Sequence, residues 1–211
     1  MKYVFMDVET TGFTSKDEVV QFSSLVTDSE FKLERVGNFY CLPSCRMHPD
    51  AEKVHHLSMD KLKKLSADKN GQPRFFEEQW LEEIKDYGDD VTFVSWSTGF
   101  FDTRLINQSL AAGNMEEFNF GEKTNTLVHK SGRYNCNFMK AVSQHITGSS
   151  RSLKLSVAIE KAGNEEECRT AFKNCVSKFK DLDGSSADYH SALYDAFCLW
   201  YLWYLFRDKL K

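Results

Sequence analysis

Asp7 and Glu9 stand two positions apart in the stretch Phe5-Met6-Asp7-Val8-Glu9-Thr10-Thr11-Gly12-Phe13. On a strand that spacing places both carboxylates on one face. Side by side at the end of a buried strand they repel, and one is pushed to take a proton. A divalent cation removes the conflict, and so dense a set of hard oxygen donors suits Mg²⁺ or Mn²⁺. The plainer alternative is a solvated pair of surface acids, which is where most carboxylates sit. Two further acids weigh against it. Asp102 follows Phe101, shortly after the apolar run Val91–Trp96. Asp195 leads directly into the eleven-residue apolar run Ala196–Phe206, where an unpaired buried carboxylate costs several kcal/mol. A cation shared between Asp195 and the Asp7/Glu9 pair explains its presence.

His190 lies five positions before Asp195. On one regular helix that spacing turns the two side chains roughly 140° apart. His190 is therefore placed on the loop leading in, and Asp195 on the helix. A histidine over a metal site can act as general base toward water; taken alone, it reads as an ordinary surface or helix-start histidine.

The elements that must position these groups follow from hydrophobic periodicity. Tyr3–Asp7 reads as a buried strand. Glu18–Thr27 and Phe31–Tyr40 read as two more, joined by a hairpin turn at Asp28-Ser29-Glu30. Pro43 and Pro49 mark a loop. Ser58 caps a short helix to Leu65. Phe75–Tyr87 is an amphipathic helix with Phe76, Trp80, Leu81 and Ile84 on one face, ended by Gly88. Val91–Trp96 is a fourth strand, Phe101–Ala112 a helix, and Thr124–His129 a weak edge strand. Helices are expected over Asn137–Ile146, Leu153–Ala162 and Glu165–Phe179, then a polar loop over Asp181–Ser186 and a long helix from His190 to Lys209. Three strands followed by alternating helix and strand make an α/β chain with a mixed sheet and helices on its faces. The last helix, apolar nearly all round, belongs deep in that sandwich or at a subunit contact.

Composition narrows the function classes. With 17 Phe, 8 Tyr and 4 Trp in 211 residues, the chain can build a large core, which excludes wholesale disorder. A net charge of −4 argues against duplex binding by sheer positive charge, yet leaves room for an enzyme that grips a few nucleotides. No segment reaches the roughly 18 apolar residues of a membrane span, so no membrane partner is expected. An acid at position 7 interrupts the apolar stretch of a signal peptide, which points to the cytoplasm. The six cysteines then read as free thiols.

Asp7-Val8-Glu9-Thr10-Thr11-Gly12, then Phe101-Asp102, then His190-x4-Asp195-Ala196 resemble, in order and spacing, the three motifs of the DEDDh 3′-5′ exonucleases (DnaQ-like and RNase T-like, of the ribonuclease H-like superfamily). Val54-His55-His56-Leu57-Ser58 resembles that family's short segment before its first helix, and Ser152-Leu153-Lys154-Leu155 the helix start before the last motif. The resemblance implies a ribonuclease H-like mixed sheet of five strands, the first three antiparallel, flanked by helices. It implies one exonuclease domain over residues 1–211 and a metal-dependent enzyme that trims single-stranded DNA or RNA from the 3′ end. Two ions, Mg²⁺ or Mn²⁺, would serve that reaction: Asp7, Glu9 and Asp195 hold the one that activates water, Asp7 and Asp102 the one beside the leaving group. His190 takes the proton from water. Thr10, Thr11 and Phe13, with His56, Leu57 and Phe101, would contact the terminal nucleotides, since stacking and backbone contacts suffice to grip a 3′ end.

Some features depart from that pattern. Ser97 and Thr98 stand where the family often carries His-Asn before Phe-Asp. The segment 165–186 is long for the family and reads as a helical insertion; its amphipathic spacing suits a packed surface helix, the alternatives being a cap over the site or a partner contact. Cys41, Cys45 and His48, with His55 and His56 beyond, have zinc-compatible types, although their spacing matches no common zinc pattern. A catalytically weak nucleic-acid-binding or partner-binding module on the same fold is the alternative function. The aromatic last helix leaves a homodimer or a larger nucleic-acid-processing complex open.

Overall fold

The first strand alternates so strictly that it divides the molecule. The computed structural model describes residues 2–87, 91–96, 101–120, 135–179, 182 and 188–207, with only the backbone at 135–137. Strand β1, Lys2–Thr10, sends Tyr3 and Phe5 into one core and Val4, Met6 and Val8 into another on the opposite face of the sheet. Strands β2, Val19–Thr27, and β3, Leu33–Tyr40, follow as an antiparallel meander, and β4, Val91–Val94, joins β1 in parallel. The sheet order is β3-β2-β1-β4. The expected mixed sheet with three antiparallel strands first is therefore present. Its strands number four among the described residues, not five; the fifth was expected at 124–129, outside them.

Helices cover both faces. On the Val4/Met6/Val8 side lie α3, Phe76–Ile84, and α4, Phe101–Ala112, closing a core rich in aromatic rings: Phe22, Phe76, Trp80 and Phe93. On the Tyr3/Phe5 side lie α5, Asn135–Thr147, α6, Leu155–Lys161, α7, Glu165–Val176, and α8, Ala192–Phe206. Helix α8 packs across β1 and β2. Its aromatic residues turn mostly inward: Tyr201 and Trp203 are buried and Trp200 is half-buried, while Tyr204 is exposed.

Helix α1, Pro49–His55, was expected to be loop. Proline reads as a breaker in a chain interior, yet at the first turn its missing N–H costs nothing and its φ is already helical. His48 caps this helix by accepting from the Asp50 amide, and Asp50 and Glu52 fill its first turn where the helix dipole favours acids. Helix α2, Met59–Leu65, starts as expected, with Ser58 Oγ accepting from the Lys61 amide. The hairpin turn runs longer than expected, to Lys32, because Phe31 takes a left-handed φ of 64° and stacks on Tyr3 at 4.8 Å. Core packing there outweighs the strand preference of a phenylalanine. Gly88 and nearly all of the 181–186 loop fall outside the described residues.

Candidate metal and catalytic site

Asp7 and Glu9 share the β1 face that α8 covers, as the period of two requires. In register they oppose Ser23 and Gln21 of β2. Gln21 fixes the depth of α8: its side-chain oxygen accepts the Ala192 amide at 3.3 Å, while its NH₂ donates to Asn38 at 2.9 Å. Asp195 then lies one turn further along α8. Between Glu9 and Thr10 the pairing slips by one residue, the sort of irregularity that re-aims side chains beside functional sites. Asp102 enters from the other side of the sheet, buried in the first turn of α4.

His190 precedes α8, as its spacing to Asp195 requires, and the helix expected from His190 begins two residues later, at Ala192. It adopts a left-handed φ of 67°, and its backbone N–H donates to Asp195 Oδ2 at 3.0 Å. One ligand atom each from Glu9, His190 and Asp195 lie within 4.8 Å of one another, a spacing compatible with a shared metal ion. Asp7 and Asp102 stand around this triplet as further negative charges.

Charge is the dominant feature. Burial raises the Asp7 carboxyl well above the ordinary aspartate range, and repulsion from Asp195, Asp102 and Glu9 raises it further. Glu9 is raised by burial and then by Asp195 and Asp102. Asp195 is pushed up by burial to about 7, although the His190 amide works the other way. Its Oδ1 atom is buried and meets no hydrogen-bond donor among the described residues. A buried carboxylate oxygen without a donor is costly unless a cation serves it. His190 is shifted down from the ordinary histidine value, by partial burial first and then by Lys154 and His56, so its imidazole is neutral at pH 7 and able to accept a proton.

The residues expected to hold a nucleotide separate into two groups. Phe13 is 69% exposed and its ring lies 6.1 Å from Phe101, with the Arg104 guanidinium 5.7 Å from the Phe101 ring. Arg104 also donates to the Phe13 and Thr14 carbonyls, which steadies this aromatic corner beside Asp102. His56 is exposed and close enough to influence His190. The other three are turned inward. Thr11 is fully buried, and its hydroxyl donates to Asp17 at 2.8 Å and accepts from the Glu18 amide at 3.0 Å. Thr10 donates to the Gly12 carbonyl at 2.8 Å. Leu57 belongs to a small core with Val20, Met47, Ala51 and Leu62. The Thr11 and Leu57 side chains therefore brace the site rather than face it, because hydroxyl partners and apolar neighbours were nearer than solvent.

Gly12 has a local reason. A Cβ at that position would lie 2.7 Å from Asp17 Oδ1, whose carboxylate packs on the turn and also accepts from Thr14. His55 is a site-supporting residue that spacing alone did not single out. Its Nδ1 accepts the Leu57 amide at 3.0 Å, so Nε2 carries the proton and donates to the Thr10 carbonyl at 3.1 Å. It ties α1 to the end of β1. The signal was the adjacent pair His55-His56, of which the inner member supports and the outer faces the site. The zinc alternative is not assembled: Cys41 is buried and donates to the Val19 carbonyl at 3.0 Å, Cys45 lies against Thr11, and His48 caps α1. Ser97 and Thr98 lie outside the described residues.

Carboxylates gathered where β1 and the parallel β4 end, beneath helices on both faces, define a ribonuclease H-like exonuclease fold. Comparison with known proteins agrees. A family model described as "Exonuclease" (RNase_T) matches residues 4–98, the stretch holding β1 to β4 with Asp7 and Glu9. No curated protein sequence matches the chain. Among solved structures, the chain is similar to the zinc-bound complex of Escherichia coli exonuclease I with single-stranded DNA (TM-score 0.64, 14% identity, covering 99% of this chain and 40% of that one). It is similar to exonuclease I without ligand (0.65, 14%, 99% and 43%). It is also similar to the E. coli enzyme with a dA16 oligonucleotide (0.65, 15%, 99% and 42%). At such identity the likeness is one of fold, and the chain spans about two-fifths of those chains. The family model spans residues 4–98, and the fold over nearly the whole chain is that of these exonuclease structures. No helix among the described residues is long and apolar enough to cross a membrane.

Proposed function

We propose that this chain is a metal-dependent 3′-5′ exonuclease acting on single-stranded DNA, built as a single domain over residues 1–211. One observation carries the reading: Glu9, His190 and Asp195 converge within 4.8 Å, and Asp195 Oδ1 is buried without a donor among the described residues. The donor set fits a hard divalent ion such as Mg²⁺ or Mn²⁺. Asp7, Glu9 and Asp195 would hold one ion, and Asp7 with Asp102 a second. Bound there, two such ions neutralise the acids, lower the pKa of the attacking water and stabilise the leaving 3′ oxygen.

The chain's own groups do the rest. His190, neutral at pH 7, takes a proton from the attacking water. Its backbone tie to Asp195 keeps the imidazole beside the acids. Phe13 and Phe101 offer faces on which a terminal base stacks, a contact that works for any base. The exonuclease I structures with single-stranded DNA and with dA16 support DNA as the substrate. The free thiols of Cys41, Cys45, Cys168, Cys175 and Cys198 suit a reducing cytoplasm.

The test uses 5′-labelled single-stranded DNA and RNA of matched sequence, with Mg²⁺, with Mn²⁺ and with chelator, beside Asp7→Ala. A metal-dependent ladder shortening from the 3′ end of the DNA, absent in the variant, is the expected result. Binding of the same strands without cleavage under any metal would overturn it in favour of a binding module.

A further inference from the structure

The geometry points to Arg169, on α7, as a positioning residue for His190. This rests on the reading of His190 as general base and gives helix α7 a part in the site. Helix α7 is anchored by Cys168 and Phe172, both buried, with the Phe172 ring edge-on to Tyr194 at 5.1 Å and to Phe197 at 5.4 Å. From that anchored face Arg169 reaches the rings of Tyr189 and Tyr194, at 5.7 and 5.5 Å from their centroids. Those rings are the sequence neighbours of His190 and Asp195, and they pack edge-on to each other at 5.2 Å. Glu165, one turn earlier on α7, holds the guanidinium at 3.2 Å, and Asp188 lies 3.9 Å from its other nitrogen.

His190 is thereby gripped on both sides. On its C-terminal side, its own amide is tied to Asp195. On its N-terminal side, Tyr189 is held by its faces: its hydroxyl is buried and meets no hydrogen-bond partner among the described residues. A planar guanidinium is suited to lie against two rings at once while pairing with acids at its edge, which an ammonium cannot do as well. A left-handed residue on an unsupported loop would sample other conformations, and a misplacement of about 1 Å can cost on the order of 10²-fold in rate. The packed helix thus governs how often the imidazole is in place.

Two measurements on the full chain test this. Hydrogen exchange of the His190 amide reads the grip without reference to catalysis. In Arg169→Met that amide should exchange at least about tenfold faster, while amides in the interior of α8 stay unchanged. In the metal-loaded protein, Arg169→Met should lower kcat about tenfold at constant KM, with Arg169→Lys recovering part of the loss. In a His190→Ala background the same change should add less than about twofold, since it acts through the missing imidazole. Unchanged exchange at His190, or an equal loss in both backgrounds, would overturn the inference while leaving the exonuclease reading intact. Wild-type turnover in His190→Ala alone would overturn the base assignment and the inference with it. If Arg169→Met does not fold, Tyr189→Leu removes the gripped ring without touching α7 and is judged by the same outcomes.

Discussion

Glu83 and Asp195 are both carboxylates set against a core, and their surroundings are opposite. Glu83, on α3, is 5% exposed and accepts hydrogen bonds from Ser24 and Tyr87, each at 2.7 Å, while Arg35 pairs with its other oxygen and also donates to its carbonyl. Gly37 makes room for it, since a Cβ there would lie 2.1 Å from Glu83 Oε1. Asp195 has one backbone donor, one buried oxygen with none among the described residues, and acids for neighbours. A structural acid comes with its donors already placed. Asp195, beside the acids at the end of β1, keeps one buried oxygen without a donor among the described residues, so the free energy of satisfying it is left for a ligand.

The contrast can be broken most sharply by removing each acid. Asp7→Ala or Asp195→Ala should lower nuclease turnover by at least about 10³-fold, because the charge that would hold the ions is gone. The same variants should fold, and without metal should melt no lower than wild type, because a repelling charge has been removed. A large fall in their melting temperature would place these acids in the class of Glu83. Glu83→Ala should do the reverse: a loss of about 3 kcal/mol in denaturant unfolding, since breaking a buried pair strands its partners, with metal affinity by calorimetry unchanged.

His190→Ala should reduce the rate by around 10²-fold while leaving metal binding largely intact, as loss of a general base does. An unchanged pH–rate profile in that variant would remove His190 from the chemistry.

A gentler probe is pH. Asp195 holds its proton in the folded state up to about pH 7, against an ordinary value of 3.8. The native state therefore binds more protons than the unfolded one across that interval, and stability falls as pH rises through it. His55 and His190, both shifted down, work in the opposite direction below the ordinary histidine value of 6.5. The difference between wild type and Asp195→Asn reads the Asp195 carboxyl together with its repulsion of Asp7 and Glu9. Without metal, wild type should lose melting temperature relative to the variant between pH 5 and 8, by a few degrees. Added Mg²⁺ should raise the wild-type melting temperature more at pH 8 than at pH 5, because binding must displace protons. Parallel curves for the two proteins would show that Asp195 does not titrate there.

The smallest expected effect is at the aromatic corner. Phe13→Ala should raise KM for single strands by about tenfold, within the range found for one base–aromatic stack, with little change in kcat.

Much of this was legible in the sequence, for identifiable reasons. Asp7 and Glu9 on one face follow from a period of two that β1 keeps for its whole length. The placement of His190 off the helix followed from an angle. What was not legible depended on contacts distant in sequence. Thr11 looked available until Asp17 and Glu18 folded back on it. Pro49 looked like a breaker because nothing local says which end of a helix it occupies. Arg169 was one cation among 27 basic residues, and its value lies in two tyrosines some twenty residues away.

Gln21 carries a consequence for tolerance to change. Its oxygen takes the first amide of α8 and its NH₂ gives to Asn38, directly across the ladder from Glu9. Glutamate differs from it by one atom and almost nothing in volume. Yet Gln21→Glu would set another negative charge opposite Glu9 and turn a donor toward Asn38 into an acceptor. In a saturation library, position 21 should therefore reject its nearest isostere, so the boundary of the acidic site is kept by a neutral residue that shape alone would rate as freely exchangeable.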